Sequence, residues 1–250
     1  MSGHSHWARI KHKKAVVDSR RGKAWGKLAR AVTIAAKTGG GDPDDNPRLR
    51  LAIEKARGAN MPKDTIEKAA KKGTGELEGE SYEDVVYEGY APGGVAIMCR
   101  AVTDNRNRTS SEIKKIFERA GSSLGAPNCV AFQFKQMGMI VASAEKATED
   151  QIVEIALEAG ADDVRSTKDG HEITCTPDVF EKVKKSLADA AIEIESADLT
   201  MMADTEITLD LERARKVMRL VDALEEQDDI DAVYTNSDIP EDVLAQLEKD

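Results

Sequence analysis

The chain has 250 residues, of which 40% are hydrophobic and 33% charged, and its formal net charge at pH 7 is -10. This composition is typical of a soluble globular protein with one large domain or two to three small ones. No apolar run approaches the length of a membrane span, and the basic N-terminus lacks the apolar core of a secretory signal. We therefore expect a cytoplasmic protein with no membrane partner.

Charge is unevenly distributed along the chain. Residues 1–72 hold 18 Lys and Arg against 7 Asp and Glu, whereas residues 73–250 hold 18 against 39. The first segment thus carries a net charge of +11 and the second -21. Such asymmetry is typical of a protein whose basic end meets a polyanion while its acidic body is repelled by it.

The N-terminal segment 1–22 has no sustained apolar period, which predicts an extended or disordered basic arm. Trp7 has no apolar neighbours and is a candidate for stacking on a base, whereas Trp25 is more typical of a helical core. Basic residues recur here and just beyond, at a density suited to neutralising phosphates; the alternative is an ordinary solvated charge run. The candidate phosphate-binding residues are Arg9, Lys11, Lys13, Lys14, Arg20, Arg21, Lys23, Lys27 and Arg30.

Residues 23–75 are predicted to form a basic domain of three short helices. Apolar residues at three- to four-residue spacing predict helices over 23–37 and 62–72. Between them, Asn46 followed by Pro47 is a good cap and first-turn pair and predicts the start of another helix.

Beyond a polar linker at 73–84, predicted strands and helices alternate. Residues 136–204 have the βαββαβ order of a ferredoxin-like domain. The flanking segments, 82–135 and 205–240, supply βαβ plus βαβ, with "CVAFQFK" and "TEITLD" predicted as strands. The predicted fold class is α+β: an N-terminal three-helix domain followed by two ferredoxin-like α/β domains, one inserted in the other. Simple tandem order is the alternative, and it would leave two incomplete sheets with open edges.

The stretch "TDNRNRTSSE", residues 103–112, places a dense polar patch at a predicted helix start. Arg106 and Arg108 are candidates to extend a phosphate-binding surface. The alternative is helix capping by Asp104, Asn105 or Thr109.

Catalytic and metal-binding patterns are missing from the sequence. The three histidines of the arm lie among cations that repel a metal ion, and the three cysteines are far apart and outside any CxxC pair. Neither GxSxG, HExxH, GxxxxGK[ST] nor GxGxxG occurs. We therefore predict no enzymatic activity, no catalytic residue, no metal and no cofactor.

The chain resembles the YebC family over nearly its whole length, through the stretches "GHSHWARIKHKKAVVDSRRGK", "GGGDPDDNPRLRLAIEKARGANMPKDTIEKA", "YEGYAPGGVAIM" and "TDNRNRT". Bacterial members are called probable transcriptional regulators, and mitochondrial relatives are described as translational activators. The resemblance implies a helical N-terminal domain, two α/β domains, and nucleic-acid or ribosome association without catalysis. His6 departs from the Lys expected in many relatives, which removes one fixed charge.

The resulting hypothesis is a non-enzymatic nucleic-acid-binding regulator of gene expression, by family resemblance a DNA-binding transcriptional regulator. The alternative is a translation factor associated with rRNA or the ribosome, which helps elongation through stalling sequences such as proline runs. The predicted helices carry Lys and Arg more than Asn or Gln, which favours backbone contact over base readout. The choice of polymer, the oligomeric state and a protein partner for the acidic domains stay open.

Overall fold

A computed structural model describes residues 21–79, 81–143, 148–167 and 170–247, so most of the predicted arm lies outside the described residues. The chain divides into two compact units, Met1–Phe132 with Thr205–Asp250, and Gln133–Asp204. The described helices are, in chain order, α1 (Arg21–Gly39), α2 (Pro47–Gly58), α3 (Lys63–Thr74), α4 (Arg106–Arg119), α5 (Glu149–Ala159), α6 (Phe180–Asp189), α7 (Leu211–Glu226) and α8 (Glu241–Leu247).

The described strands form two separate four-stranded antiparallel sheets and a short parallel pair. In chain order they are β1 (Glu83–Ala91), β2 (Val95–Thr103), β3 (Ser123–Leu124), β4 (Phe134–Ala142), β5 (Asp163–Thr167), β6 (Gly170–Cys175), β7 (Ile194–Ala203), β8 (Ile207–Thr208), β9 (Ile230–Thr235) and β10 (Ser237–Asp238). The α+β class is confirmed. None of the described helices is both long and apolar enough to cross a membrane.

Of the three N-terminal helices, α2 and α3 pack against α1. The Asn46 side chain caps α2 by accepting from the Leu49 N–H at 3.1 Å, and its amide donates to the Ala35 carbonyl of α1 at 2.9 Å. Helix α3 lies very close to α1, because a Cβ added at Gly73 would be 2.2 Å from the Thr33 carbonyl oxygen. The buried core consists of Val32, Ala35, Ala36, Leu49, Ala56, Met61, Ile66 and Ala69.

The first sheet has the order β3-β1-β2-β9. Its central strands β1 and β2 are consecutive in the chain and join through a turn in which Gly93 and Gly94 have positive φ values of 88° and 78°. Helices α4 and α7 share a hydrophobic core with this sheet, through residues that include Ile97, Phe117 and Leu220.

The second sheet has the order β5-β6-β4-β7, with α5 and α6 contributing to its core. This is the strand order of a ferredoxin-like βαββαβ unit, as predicted. Ile140, Ile173 and Phe180 are almost completely buried here. Gly138 allows the close approach of α6, since a Cβ there would lie 2.4 Å from the Phe180 ring.

The predicted strand "CVAFQFK" is wrong over residues 131–133, and the predicted strand "TEITLD" is shorter than predicted. Residues 131–133 of "CVAFQFK" form a 3-10 helix, and β4 begins only at Phe134. The cause is Glu88 on β1, whose carboxylate accepts from the N–H groups of Asn128, Val130 and Ala131 at 2.7 to 2.8 Å and bends that backbone. In "TEITLD", strand β8 has only two residues, and it pairs with β10 outside both large sheets.

Candidate nucleic-acid interface

The binding residues predicted from the sequence lie on α1, at the start of α4 or outside the described residues. Lys23, Lys27 and Arg30 lie on α1, and Arg106 and Arg108 lie in the first turn of α4. Arg21 is the first residue of α1. The remaining candidates lie outside the described residues: Trp7, Arg9, Lys11, Lys13, Lys14 and Arg20.

Lys23, Arg30 and Arg108 converge on one open, polar pocket of about 530 Å³. Both signs of charge line it. The lining residues are Lys23, Arg30, Tyr82, Asp104, Arg108, Glu112, Glu226, Gln227, Asp228 and Asp229. The pocket therefore lies between the N-terminal helices and the end of α7.

The three α1 cations, which we call the α1 cation stripe, occupy positions i, i+4 and i+7 of one helix and so share a face. They all bind residues 225–229, which we call the acidic turn. Lys27 donates to the Glu225 carbonyl at 2.5 Å.

The two ends of the stripe bind both backbone and carboxylate groups of the acidic turn. Lys23 donates to the Glu226 carbonyl and pairs with the Asp228 carboxylate at 2.9 Å. Arg30 donates to the Asp228 carbonyl and lies 3.6 Å from an Asp229 carboxylate oxygen. The last carbonyls of a helix have no intrahelical partner and attract cations, so the stripe stabilises the C-terminal end of α7.

Burial of the Lys27 side chain between these elements lowers the pKa of its amine to about 8. The neighbouring charge of Lys23 acts in the same direction, while Glu225 and Asp228 oppose it. Lys27 therefore loses a large part of its charge at mildly alkaline pH.

Asp229 is the central acceptor of the cluster and is only 4% exposed. Its carboxylate accepts from the Thr109 hydroxyl at 2.6 Å and from the Arg108 guanidinium at 2.8 Å. Burial alone would raise the pKa of Asp229, but the hydrogen bonds from Arg108 and Thr109 outweigh it and hold the pKa below its ordinary value. The buried carboxylate is thus kept ionised.

The start of α4 shows the helix capping that was the alternative for this stretch, and phosphate binding by Arg106 and Arg108 stays a prediction. Asn105 caps the helix by accepting from the Arg108 N–H at 3.1 Å. The Arg108 side chain binds Asp104 and Asp229, each at 2.8 Å, and these hydrogen bonds raise its pKa further above the ordinary value. Arg106 is exposed, and its side chain makes no hydrogen bond or ion pair with any described residue.

Sequence reasoning missed the acidic turn, because the run "EEQDDID" is typical of a solvated surface. Its one available signal was its position, because it follows a predicted helix that contains Leu211 and Leu224, and cations are favoured at the C-terminal end of a helix. Nothing in the local sequence indicates that the cations come from a helix about 200 residues earlier. Over the described residues, no group of three or more His, Cys, Asp or Glu is placed to hold a metal ion.

Family models match the chain on both sides of the linker. A model of the TACO1/YebC protein N-terminal domain matches residues 5–76, and a model of the TACO1/YebC second and third domain matches residues 82–237. The chain belongs to the TACO1/YebC family.

Other TACO1/YebC proteins align with this chain from end to end. A relative from Elusimicrobium minutum (strain Pei191) is 47% identical over 250 residues, covering 100% of both chains. One from Sulfurihydrogenibium sp. (strain YO3AOP1) is 50% identical over 250 residues, 99% of this chain and 100% of its own. Both are named as a "Probable transcriptional regulatory protein".

A solved structure shares the fold. The crystal structure of the conserved hypothetical protein Aq1575 from Aquifex aeolicus is 48% identical and gives a TM-score of 0.84. It covers 94% of this chain and 98% of its own chain. The recognised family and the α+β architecture therefore agree.

Proposed function

We propose that this TACO1/YebC protein is a cytoplasmic, non-enzymatic regulator of gene expression that binds nucleic acid through its basic N-terminal part. In the first form of the proposal it is a DNA-binding transcriptional regulator, as the names of its relatives suggest. The observation that carries the proposal is the charge asymmetry, +11 over residues 1–72 against -21 over the remainder.

The charge asymmetry would orient the protein on a polyanion. The basic part approaches the phosphates, while the acidic α/β part is held away by repulsion. Phosphate contacts release condensed counterions, so binding weakens steeply with salt. About five phosphate contacts would give a log-log salt slope near -4.5 on duplex DNA and about -3.5 on a single strand.

The second form of the proposal is a translation factor that binds rRNA or the ribosome and assists elongation through sequences such as proline runs. The composition of α3 favours it, because the exposed side chains of this helix are Lys, Asp, Glu and Thr. Asn and Gln, which read adenine in the major groove in bidentate geometry, are not among these exposed side chains. A helix with this surface is better suited to a phosphate backbone than to a promoter sequence.

The deciding experiment is crosslinking of the full chain to nucleic acid in cells, followed by sequencing of what is attached. Enrichment of defined promoter sequences supports the transcriptional form, and enrichment of rRNA supports the translational form. In parallel, fluorescence anisotropy measures binding to a duplex DNA and to an RNA hairpin at low salt. Failure to bind either probe, with no crosslinked nucleic acid, would contradict both forms.

A further inference from the structure

The cations of the basic helical region differ in whether they are available to a ligand. Those of the α1 cation stripe are bound to the acidic turn. In α2, Arg48 pairs with Asp84 at 2.5 Å, and Arg50 donates to the Pro43 carbonyl at 3.2 Å. Much of the positive charge of α1 and α2 is therefore paired within the protein and is less available to a ligand.

Helix α3 carries the contrasting set. Lys68, Lys71 and Lys72 are exposed, and their side chains make no hydrogen bond or ion pair with any residue that the structure describes. Ile66 and Ala69 of the same helix are buried at 4% and 5% exposure, and they face α1 and α2. Lysines at i, i+3 and i+4 are neighbours about 5–6 Å apart at Cβ, so the three form one face directed away from the core.

The acidic residues of α3 offset this face only in part. Asp64 and Glu67 lie one turn before Lys68 and Lys71, but Glu67 pairs with Lys63 at 3.6 Å, and the helix has four Lys against these two carboxylates, a net charge of +2. At the C-terminal end, the Glu76 carboxylate accepts from the Thr74 hydroxyl at 2.8 Å.

The lysine face also lies on a rigid support. Thr33 of α1 donates to the Ala69 carbonyl of α3 at 3.0 Å, and Gly73 permits direct backbone contact between the two helices. A binding group held on packed helices loses less conformational freedom when its ligand arrives. Among the described residues, the exposed large hydrophobic side chains lie outside α3. That leaves a polar surface with a net positive charge, which suits a polyanion better than an apolar protein groove.

We propose that the α3 lysine face, Lys68, Lys71 and Lys72, is a contact surface for the phosphate backbone of a nucleic acid. The proposal rests on the nucleic-acid function proposed above and names the site through which it acts. Ammonium groups on flexible stems act as point charges, so this surface contributes affinity and salt dependence without sequence preference.

The test compares the full chain with Lys68→Gln/Lys71→Gln/Lys72→Gln. Affinity for a labelled 20-base-pair duplex DNA and for an RNA hairpin of similar size is measured by anisotropy across a salt series. Each lost phosphate contact reduces the slope on duplex by about 0.9, so the triple variant should have a slope shallower by about 2.7. A larger loss on one probe identifies which polymer the face contacts.

For the double variant Lys68→Gln/Lys71→Gln, the matched control is Lys182→Gln/Lys185→Gln, which removes two exposed lysines at the same i,i+3 spacing from α6. It should leave the slope close to that of the unmodified chain. The variant Lys68→Arg/Lys71→Arg/Lys72→Arg keeps the charge and should retain binding. Thermal melts of each protein, together with this variant, distinguish lost phosphate contacts from misfolding.

The outcomes distinguish the two proposals. If the unmodified chain binds and the folded glutamine variant has an unchanged slope, the α3 surface is wrong and the nucleic-acid function stands. If the glutamine variant does not fold, the single variants Lys71→Gln and Lys182→Gln are compared instead. A shallower salt slope in Lys71→Gln alone supports the α3 surface, and equal slopes contradict it. If the unmodified chain binds neither probe at low salt and crosslinks to no nucleic acid in cells, the nucleic-acid function itself is overturned.

Discussion

The Thr109 hydroxyl donates a 2.6 Å hydrogen bond to the buried carboxylate of Asp229, 120 positions further along the chain. The same carboxylate accepts from Arg108 and lies 3.6 Å from Arg30 of α1. One ionised group thus connects α1, α4 and the segment that precedes β9. Together with the Arg48–Asp84 pair, it attaches the N-terminal helices to the first sheet.

Replacement of this carboxylate should be costly for stability. Asp229→Asn keeps the shape but removes the charge that Arg108 and Arg30 bind, and a hydrogen bond to a charged group contributes about 1.5–3 kcal/mol. We expect the free energy of unfolding to fall by about 2 kcal/mol or more in urea denaturation. Asp228→Asn is the control, because that side chain is 64% exposed and its ion pair should contribute less than about 1 kcal/mol. Equal losses in the two variants would contradict a central role for Asp229.

Lys27 should make stability depend on pH in the alkaline range. Its pKa is lowered to about 8 in the folded protein, so between that pH and the unfolded pKa of about 10.4 the unfolded chain binds more protons. Stability must rise with pH across this window. Lys27→Met lacks this contribution. The free energy of unfolding of the unmodified protein should therefore increase relative to that of the variant from pH 8 to 10.

The range from pH 6 to 7 is an internal control for this measurement. Lys27 is charged in both folded and unfolded states there, and the difference between the two proteins should be constant. A difference that is also constant from pH 8 to 10 would show that the Lys27 amine is not desolvated by its contacts with the acidic turn.

Weakening the acidic turn should strengthen nucleic-acid binding. Asp228→Asn removes the carboxylate that pairs with Lys23, and the released ammonium can then meet a phosphate. Under the proposed function, affinity for duplex DNA should rise and the salt slope should steepen by up to about 0.9. Glu158→Gln removes an exposed acidic charge on α5, in the other unit, and controls for net charge. Equal gains in both variants would indicate a general charge effect with no part for the α1 cation stripe.

Glu88 should control the conformation of residues 128–131. Glu88 is 5% exposed, and its carboxylate accepts from three backbone N–H groups. In Glu88→Gln, the side-chain NH2 group would face backbone N–H groups that need an acceptor. We expect a loss of about 2 kcal/mol or more in the free energy of unfolding. Glu83→Gln, on an exposed position of the same strand, should cost less than about 0.5 kcal/mol. Similar values for the two would show that these hydrogen bonds are dispensable.

Local signals in the sequence predicted most of the regular structure. The helix that begins at Asn46 and Pro47 follows from cap chemistry, and α3 follows from the spacing of Ile66 and Ala69. These features depend on residues within one or two turns, so they are visible without tertiary information.

What the sequence could not supply depends on distant contacts. The apolar-rich stretch "CVAFQFK" is typical of a strand, but Glu88, about 40 positions earlier, bends its backbone instead. Lys23 and its Glu226 partner are 203 positions apart. A basic helix with free cations and one whose cations are bound have the same local sequence, so the availability of the α1 cation stripe could not be predicted.

The separation between the α1 cation stripe and the acidic turn has a consequence during synthesis. A chain that grows at about 5–20 residues per second produces α1 about 10–40 s before residues 225–229 exist. Throughout that interval the nascent N-terminal helices carry uncompensated cations next to the translating machinery. The acidic turn can pair with these cations only when the last part of the first unit emerges. Completion of the chain therefore changes the surface charge of the N-terminal helices.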